Sequence, residues 1–288
     1  MVNKKIILGK VIILIIVLLL IVPFSGLLLT TKIGQSVRTF SFHISRRVAQ
    51  LYLNYRTRDY HALEGQGFIV KYSAADEDIA QQTIQLTEKY LQEIQETLKI
   101  TLPQKRRFLL VIYPDKESLN TSFGWDRYQN PMGVYWAGSI SILSPYAWPM
   151  SDLETESLQE LFQKKNPLAH ELTHLIVDYL SNGNYPRWLS EGLAQYTEMK
   201  LTNYTLPRPE EDLGLVALEQ LDNRLDDPQL QLQAYWQARE MVQYLVREYG
   251  WEKIVQYLLL LGEKPSEEAF SAVYDFSPVD LFCVVFDN

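Results

Sequence analysis

His170-Glu171-Leu172-Thr173-His174 is the stretch on which the reading of this chain turns. On a helix, two histidines four apart project from one face, about 6 Å apart along the axis. Both imidazoles can then reach one zinc ion at about 2.0–2.1 Å, and Glu171 stands beside the metal, placed to take a proton from water. That is machinery for hydrolysis. The flanking residues predict the helix itself. Asn166 reads as its N-cap and Pro167 as its first residue. Leu172, Leu175, Ile176 and Tyr179 form an apolar stripe at helical spacing, and Asn182-Gly183-Asn184 tolerates the left-handed turn that ends it.

A catalytic zinc takes three protein ligands and keeps a fourth position open. His43 and His61 lie far upstream and no histidine follows His174, so the third ligand is expected to be an oxygen. Glu191 is the candidate, with Glu198 as fallback nearly two turns on. A second helix is predicted over Trp188–Lys200, carrying Glu191 in its first turn, where the helix dipole favours a carboxylate. Gly192 beside it would let this helix approach the first closely. Asp178 continues the four-residue spacing after His174. It reads either as an acceptor for a ligand histidine N–H or as a solvated acid near the helix end.

HELTH followed by Pro186-Arg187-Trp188-Leu189-Ser190-Glu191-Gly192-Leu193-Ala194-Gln195-Tyr196 resembles the gluzincin metallopeptidases. It is similar in particular to the membrane-associated peptidase MA-like families, closely over Leu168–Lys200. The resemblance implies His170, His174 and Glu191 as metal ligands and Glu171 as general base. The interval from His174 to Glu191 is shorter than in thermolysin-like or aminopeptidase-like relatives. It also implies a tyrosine as oxyanion donor, since no histidine remains for that role: Tyr235 is the choice and Tyr196 the alternative. Gluzincins hold an extended peptide on an edge strand ahead of the zinc helix. Gly133–Leu143, with its Ser/Ile alternation, reads as a half-exposed strand in that position. An ordinary sheet strand fits the same pattern.

The rest of the chain sets the surroundings. Val11–Thr31 carries no charge and is long enough to span a bilayer, which predicts an uncleaved single-pass anchor after a short cytoplasmic tail (1–31). A cleaved signal peptide is the rival reading. Residues 32–60 form a basic juxtamembrane segment, either an amphipathic helix on anionic lipid or a stalk. Of 27 bases and 35 acids, nine bases and a single acid, Asp59, fall in the first 60 residues. The acidic remainder argues against a nucleic-acid partner. Bases flank the apolar run on both sides, and an extracytoplasmic catalytic domain is expected from the short tail and from the membrane-bound relatives. Cys283, the only cysteine, excludes an internal disulfide and is expected to be buried.

The fold expected is α+β. An α/β lobe over 61–145 holds strands at Gly67–Tyr72 and Arg107–Tyr113, a helix over Asp76–Lys99, a short helix near Lys116 and the Ser/Ile strand. A helical lobe over 146–288 holds the zinc pair and helices over Val216–Leu225, Leu232–Tyr249, Trp251–Leu261 and Ser266–Tyr274. The function expected is a membrane-anchored zinc peptidase with a peptide or protein substrate. A catalytically silent module binding zinc or a peptide is the alternative, and zinc-dependent hydrolysis of another bond type a third.

Overall fold

The computed structural model describes residues 32–101, 107–126, 131–149, 157–209 and 214–286. The expected membrane span lies outside these residues. Among the described residues no single helix is long and apolar enough to cross a membrane. The chain divides into two compact units, Met1–Ile44 and Ser45–Asn288. Helix α1 (Lys32–Arg56) begins in the first, and everything else described belongs to the second.

A five-stranded mixed sheet opens the second unit. Strands β1 (His61–Gly65) and β2 (Phe68–Tyr72) form an antiparallel hairpin; β3 (Phe108–Tyr113) runs parallel to β2. Between them, α2 (Glu77–Leu98) makes the crossover and buries Ile79, Leu86, Tyr90, Leu91 and Ile94 along one face. Phe108-Leu109-Leu110-Val111-Ile112-Tyr113 is buried at every position, as a run of β-branched and large apolar residues in a central strand demands. Helix α3 (Lys116–Phe123) follows, capped by Asp115, which accepts from the Ser118 N–H.

The Ser/Ile stretch corrects one expectation. It is not one half-exposed strand but a hairpin, β4 (Gly133–Trp136) and β5 (Ser139–Leu143), turning at Ala137-Gly138 with positive φ at both residues. The sheet order is β1-β2-β3-β5-β4. β5 is buried throughout, Ser139 and Ser141 included, because β3 and β4 flank it and helices pack against it. Only β4 is an edge.

The rest is helical: α4 (Leu158–Lys165), α5 (Leu168–Ser181), α6 (Arg187–Thr202), α7 (Leu218–Arg224), α8 (Gln231–Leu261), α9 (Ser266–Tyr274) and α10 (Pro278–Phe286). α8 is two helices joined at Gly250, whose φ of 78° and ψ of 168° interrupt it where the sequence predicts a stop. The core runs unbroken from the sheet into α5, through Leu168, Leu172, Leu175 and Ile176. A second cluster, built on Leu189, Leu193, Met241, Val242 and Leu245, joins α6 to α8. Cys283 is exposed, against expectation, because α10 turns Leu281 rather than Cys283 into the core.

Candidate metal centre and its cleft

Helix α5 carries His170, Glu171 and His174. Asn166 starts it as the sequence predicts, but from one residue further out: its Oδ1 accepts the Leu168 N–H at 3.1 Å, while its Nδ2 donates to Phe162 O and Gln163 O at the end of α4. One side chain thus closes one helix and opens the next. Asn182, in left-handed conformation (φ 51°), ends α5.

Glu191 lies past the first turn of α6, where the dipole no longer counts. The orphan N–H groups at that helix start are satisfied from α7 instead. Asp222 accepts Arg187 N at 2.8 Å and Trp188 N at 2.7 Å. Gly192 does permit a close approach, but to α8 rather than α5. A methyl group there would sit 2.3 Å from the Ala238 carbonyl oxygen. The helix is thereby pressed against α8 on one side while Glu191 faces α5 on the other.

The three expected ligands converge. Glu191 Oε2 is 3.5 Å from His170 Nε2 and 3.5 Å from His174 Nε2. Among the described residues these form the one group of His, Cys, Asp or Glu side chains whose ligand atoms all lie within 4.8 Å of one another. Two atoms each about 2.0–2.1 Å from a tetrahedral zinc are about 3.3 Å apart, so the donor set fits that ion in chemistry and in spacing.

Both rings turn Nδ1 away from this point. His170 Nδ1 lies 3.3 Å from Glu198 Oε2, and His174 Nδ1 lies 2.7 Å from Ser190 Oγ. Glu198, the fallback ligand, therefore stands behind the His170 ring and outside the three-membered group, the place that carboxylates take behind zinc-bound imidazoles. Asp178 does not touch either histidine. It accepts the Tyr135 hydroxyl from β4 and ion-pairs with Arg46 of α1, so it is neither solvated nor a histidine acceptor.

The carboxylates of the group set its electrostatics. Burial alone would favour a neutral His170 ring, but hydrogen bonds to Glu191 and Glu198, with the charges of Glu198 and Glu171, outweigh it and hold the pKa well above the usual value. Burial likewise pushes Glu191 up, yet the charge of His174 and hydrogen bonds with both imidazoles leave its carboxyl well below the ordinary range. Three carboxylates, Glu171 buried and Glu191 and Glu198 largely so, thus favour positive charge here. Glu171 is also buried. Burial raises its pKa, the two imidazoles oppose the rise, and Glu191 and Glu198 add to it.

A cleft of about 400 Å³ opens over the group. β4 forms one wall through Gly133, Val134 and Tyr135; Tyr185, Arg187 and Tyr235 form another. Gly133 lies so close to Glu171 that a Cβ would stand 2.7 Å from its Oε1. Tyr235, the expected oxyanion donor, lines the cleft. Tyr196 does not: its ring packs on Trp251 with centroids 5.7 Å apart. Sequence reasoning missed Tyr185, whose position in the turn between α5 and α6 carries no periodic signal. Burial raises the pKa of both Tyr185 and Tyr235, with Asp178 and Glu191 adding for the first and Glu191 for the second, so both remain hydrogen-bond donors at neutral pH.

Residues 147–281 match the family model described as Peptidase MA superfamily. Over this stretch the chain is similar to that superfamily. It carries a metallopeptidase-like domain, and the matched residues include every member of the histidine–glutamate group. α1 and the sheet, with its edge strand β4, lie outside the match. No curated protein matches the chain.

Proposed function

We propose that this chain is a membrane-anchored, zinc-dependent peptidase of the gluzincin kind, with its catalytic domain on the extracytoplasmic side. The observation that carries the reading is the convergence of His170, His174 and Glu191 at 3.5 Å spacing, with Glu171 beside them at the floor of a cleft walled by an edge strand. A zinc ion held by these three residues supplies Lewis acidity, acidifying water and polarising a carbonyl.

The remaining steps belong to the chain itself. The unpaired edge of β4 offers backbone N–H and C=O groups to an extended peptide, aligning it by strand addition across Glu171. Glu171 accepts the proton of the attacking water and returns it to the leaving amine. The phenol of Tyr235, with Tyr185 on the same wall of the cleft, donates to the oxygen that becomes negative as the carbonyl carbon turns tetrahedral. Glu198 and Ser190 hold the two imidazoles in the tautomer that turns Nε2 inward. The acidity of the chain beyond its first 60 residues disfavours nucleic acid as a substrate.

The test is metal analysis with peptide hydrolysis on the wild type and Glu171→Gln. The expected result is about one zinc per chain in both, with chelator-sensitive cleavage in the wild type that falls by about a hundredfold or more in the variant. Zinc without cleavage across a broad peptide library would leave a silent binding module. No zinc in the wild type would remove the reading altogether.

A further inference from the structure

Helix α1 buries one face against the fold and leaves an apolar one exposed. Arg46, Ala49, Leu53 and Thr57 follow one another at helical spacing and are buried. Diametrically opposite, Val48, Leu51, Tyr52 and Tyr55 repeat as i, i+3, i+4 and i+7, and Val48, Leu51 and Tyr55 are 56%, 65% and 66% exposed. Single apolar residues scatter over any surface; a helical stripe of four does not. The stripe continues by ring contacts. Tyr52 meets Trp136 edge-on at 6.3 Å, Trp136 meets Phe123 at 5.8 Å, and Phe123 stacks on Trp125 at 4.9 Å. Trp125 lines the cleft. An apolar, aromatic surface therefore runs from the outer face of α1 to the mouth of the proposed active site.

We infer that this surface seats on an anionic phospholipid bilayer, which makes polypeptide segments emerging from that bilayer the substrates of the cleft. The inference rests on the peptidase and anchor readings above for its consequence, but on the exposed stripe for its substance. Trp and Tyr are the side chains that settle at headgroup depth, with an apolar body and a polar tip. Arg47, Arg56 and Arg58 are exposed beside the stripe, and no acid precedes Asp59, which matches anionic headgroups. The uncharged run Val11–Thr31 ends immediately before α1, so the tether and the stripe are contiguous in the chain. A second copy is a poorer occupant, since a two-fold contact would set these arginines against their own copies.

The six tryptophans all lie at or beyond Trp125, so tryptophan fluorescence reports on the folded unit and not on the apolar run. The full chain, reconstituted in phosphatidylglycerol–phosphatidylcholine vesicles, is measured with and without acyl-brominated lipid. Quenching is expected in the wild type, falling about twofold or more in Val48→Ser/Leu51→Ser/Tyr55→Ser and in Trp136→Phe. The triple variant should cleave a soluble peptide at the wild-type rate but a lipid-anchored peptide about fivefold or more slowly. Quenching equal in wild type and triple variant overturns the inference. So does a lipid-independent change of oligomeric state in the triple variant, which would make the stripe an interface between copies. Quenching as expected with no hydrolysis of either peptide would sink the peptidase reading while leaving the docking surface in place.

Discussion

Arg46 and Asp178 form an ion pair at 3.4 Å between α1 and the histidine helix α5, with only 9% and 7% of their side chains exposed. The Arg46 guanidinium also lies 3.9 Å over the Tyr179 ring, and Asp178 accepts the hydroxyl of Tyr135 from β4. Tyr135 in turn accepts the Gly138 N–H at 2.9 Å. Three elements, the helix after the apolar run, the edge strand and the histidine helix, therefore meet at one buried carboxylate.

Breaking that pair from one side strands a charge. Arg46→Met leaves Asp178 buried without its cation and is expected to cost about 3–5 kcal/mol in urea unfolding. Arg46→Met/Asp178→Leu removes both charges and should recover most of the loss. A single variant as stable as the wild type would show that water already reaches the pair.

Gly133→Ala tests the approach of the edge strand to Glu171, the proposed general base. Its Cβ would lie 2.7 Å from Glu171 Oε1 and 2.8 Å from two carbons of Pro167, so strand and base cannot both hold position. Zinc content should stay at the wild-type level while kcat/KM drops by about ten- to a hundredfold. An unchanged kcat/KM would mean that β4 moves without consequence for the chemistry.

Glu198→Ala removes the carboxylate behind His170 without touching the three proposed ligands. Zinc affinity, measured by competition with a chromogenic chelator, is expected to weaken about 10–100-fold. If instead all metal is lost and Glu191→Ala retains it, the roles of the two glutamates are reversed.

Zinc should displace a proton. The folded pKa of His170 is raised, so its favourable coupling to Glu191 and Glu198 is full below the unfolded value of about 6.5 and is lost as pH climbs through the folded one. Glu191 is depressed, so its contribution is present above about 4.3 and is lost as pH falls through its folded value. The direction of the His170 shift favours a protonated ring before zinc binds. Calorimetric titration with zinc in two buffers of different ionisation enthalpy is expected to show about one proton released per ion. Zero release would place a neutral His170 in the metal-free protein.

The local pattern carried far in this chain because its strongest signals are periodic. Helices α2, α5, α6 and both halves of α8 are legible from apolar spacing and Gly or Asn stops, and β3 from an unbroken apolar run. Edge and core strands were harder to tell apart. Ser139 and Ser141 alternate with Ile140 and Ile142 like a half-wet strand, yet β5 is flanked on both sides, and neighbours rather than alternation decide burial. Strand β1 escaped notice because His61-Ala62-Leu63-Glu64-Gly65 has little strand propensity alone and is held by its pairing with β2.

The order of residues alone determined the histidine pair, the glutamate beside it and the candidate third carboxylate, since a helix converts four-residue spacing into a shared face whatever surrounds it. What lies behind each imidazole was decided only in three dimensions. Glu198 and Ser190 back the rings, while Asp178, at the right spacing in sequence, looks instead to Arg46, well over a hundred residues upstream. The physical reason is that intrahelical geometry is set locally, whereas the partner of a buried charge is whichever opposite group the packed core brings within a few ångströms.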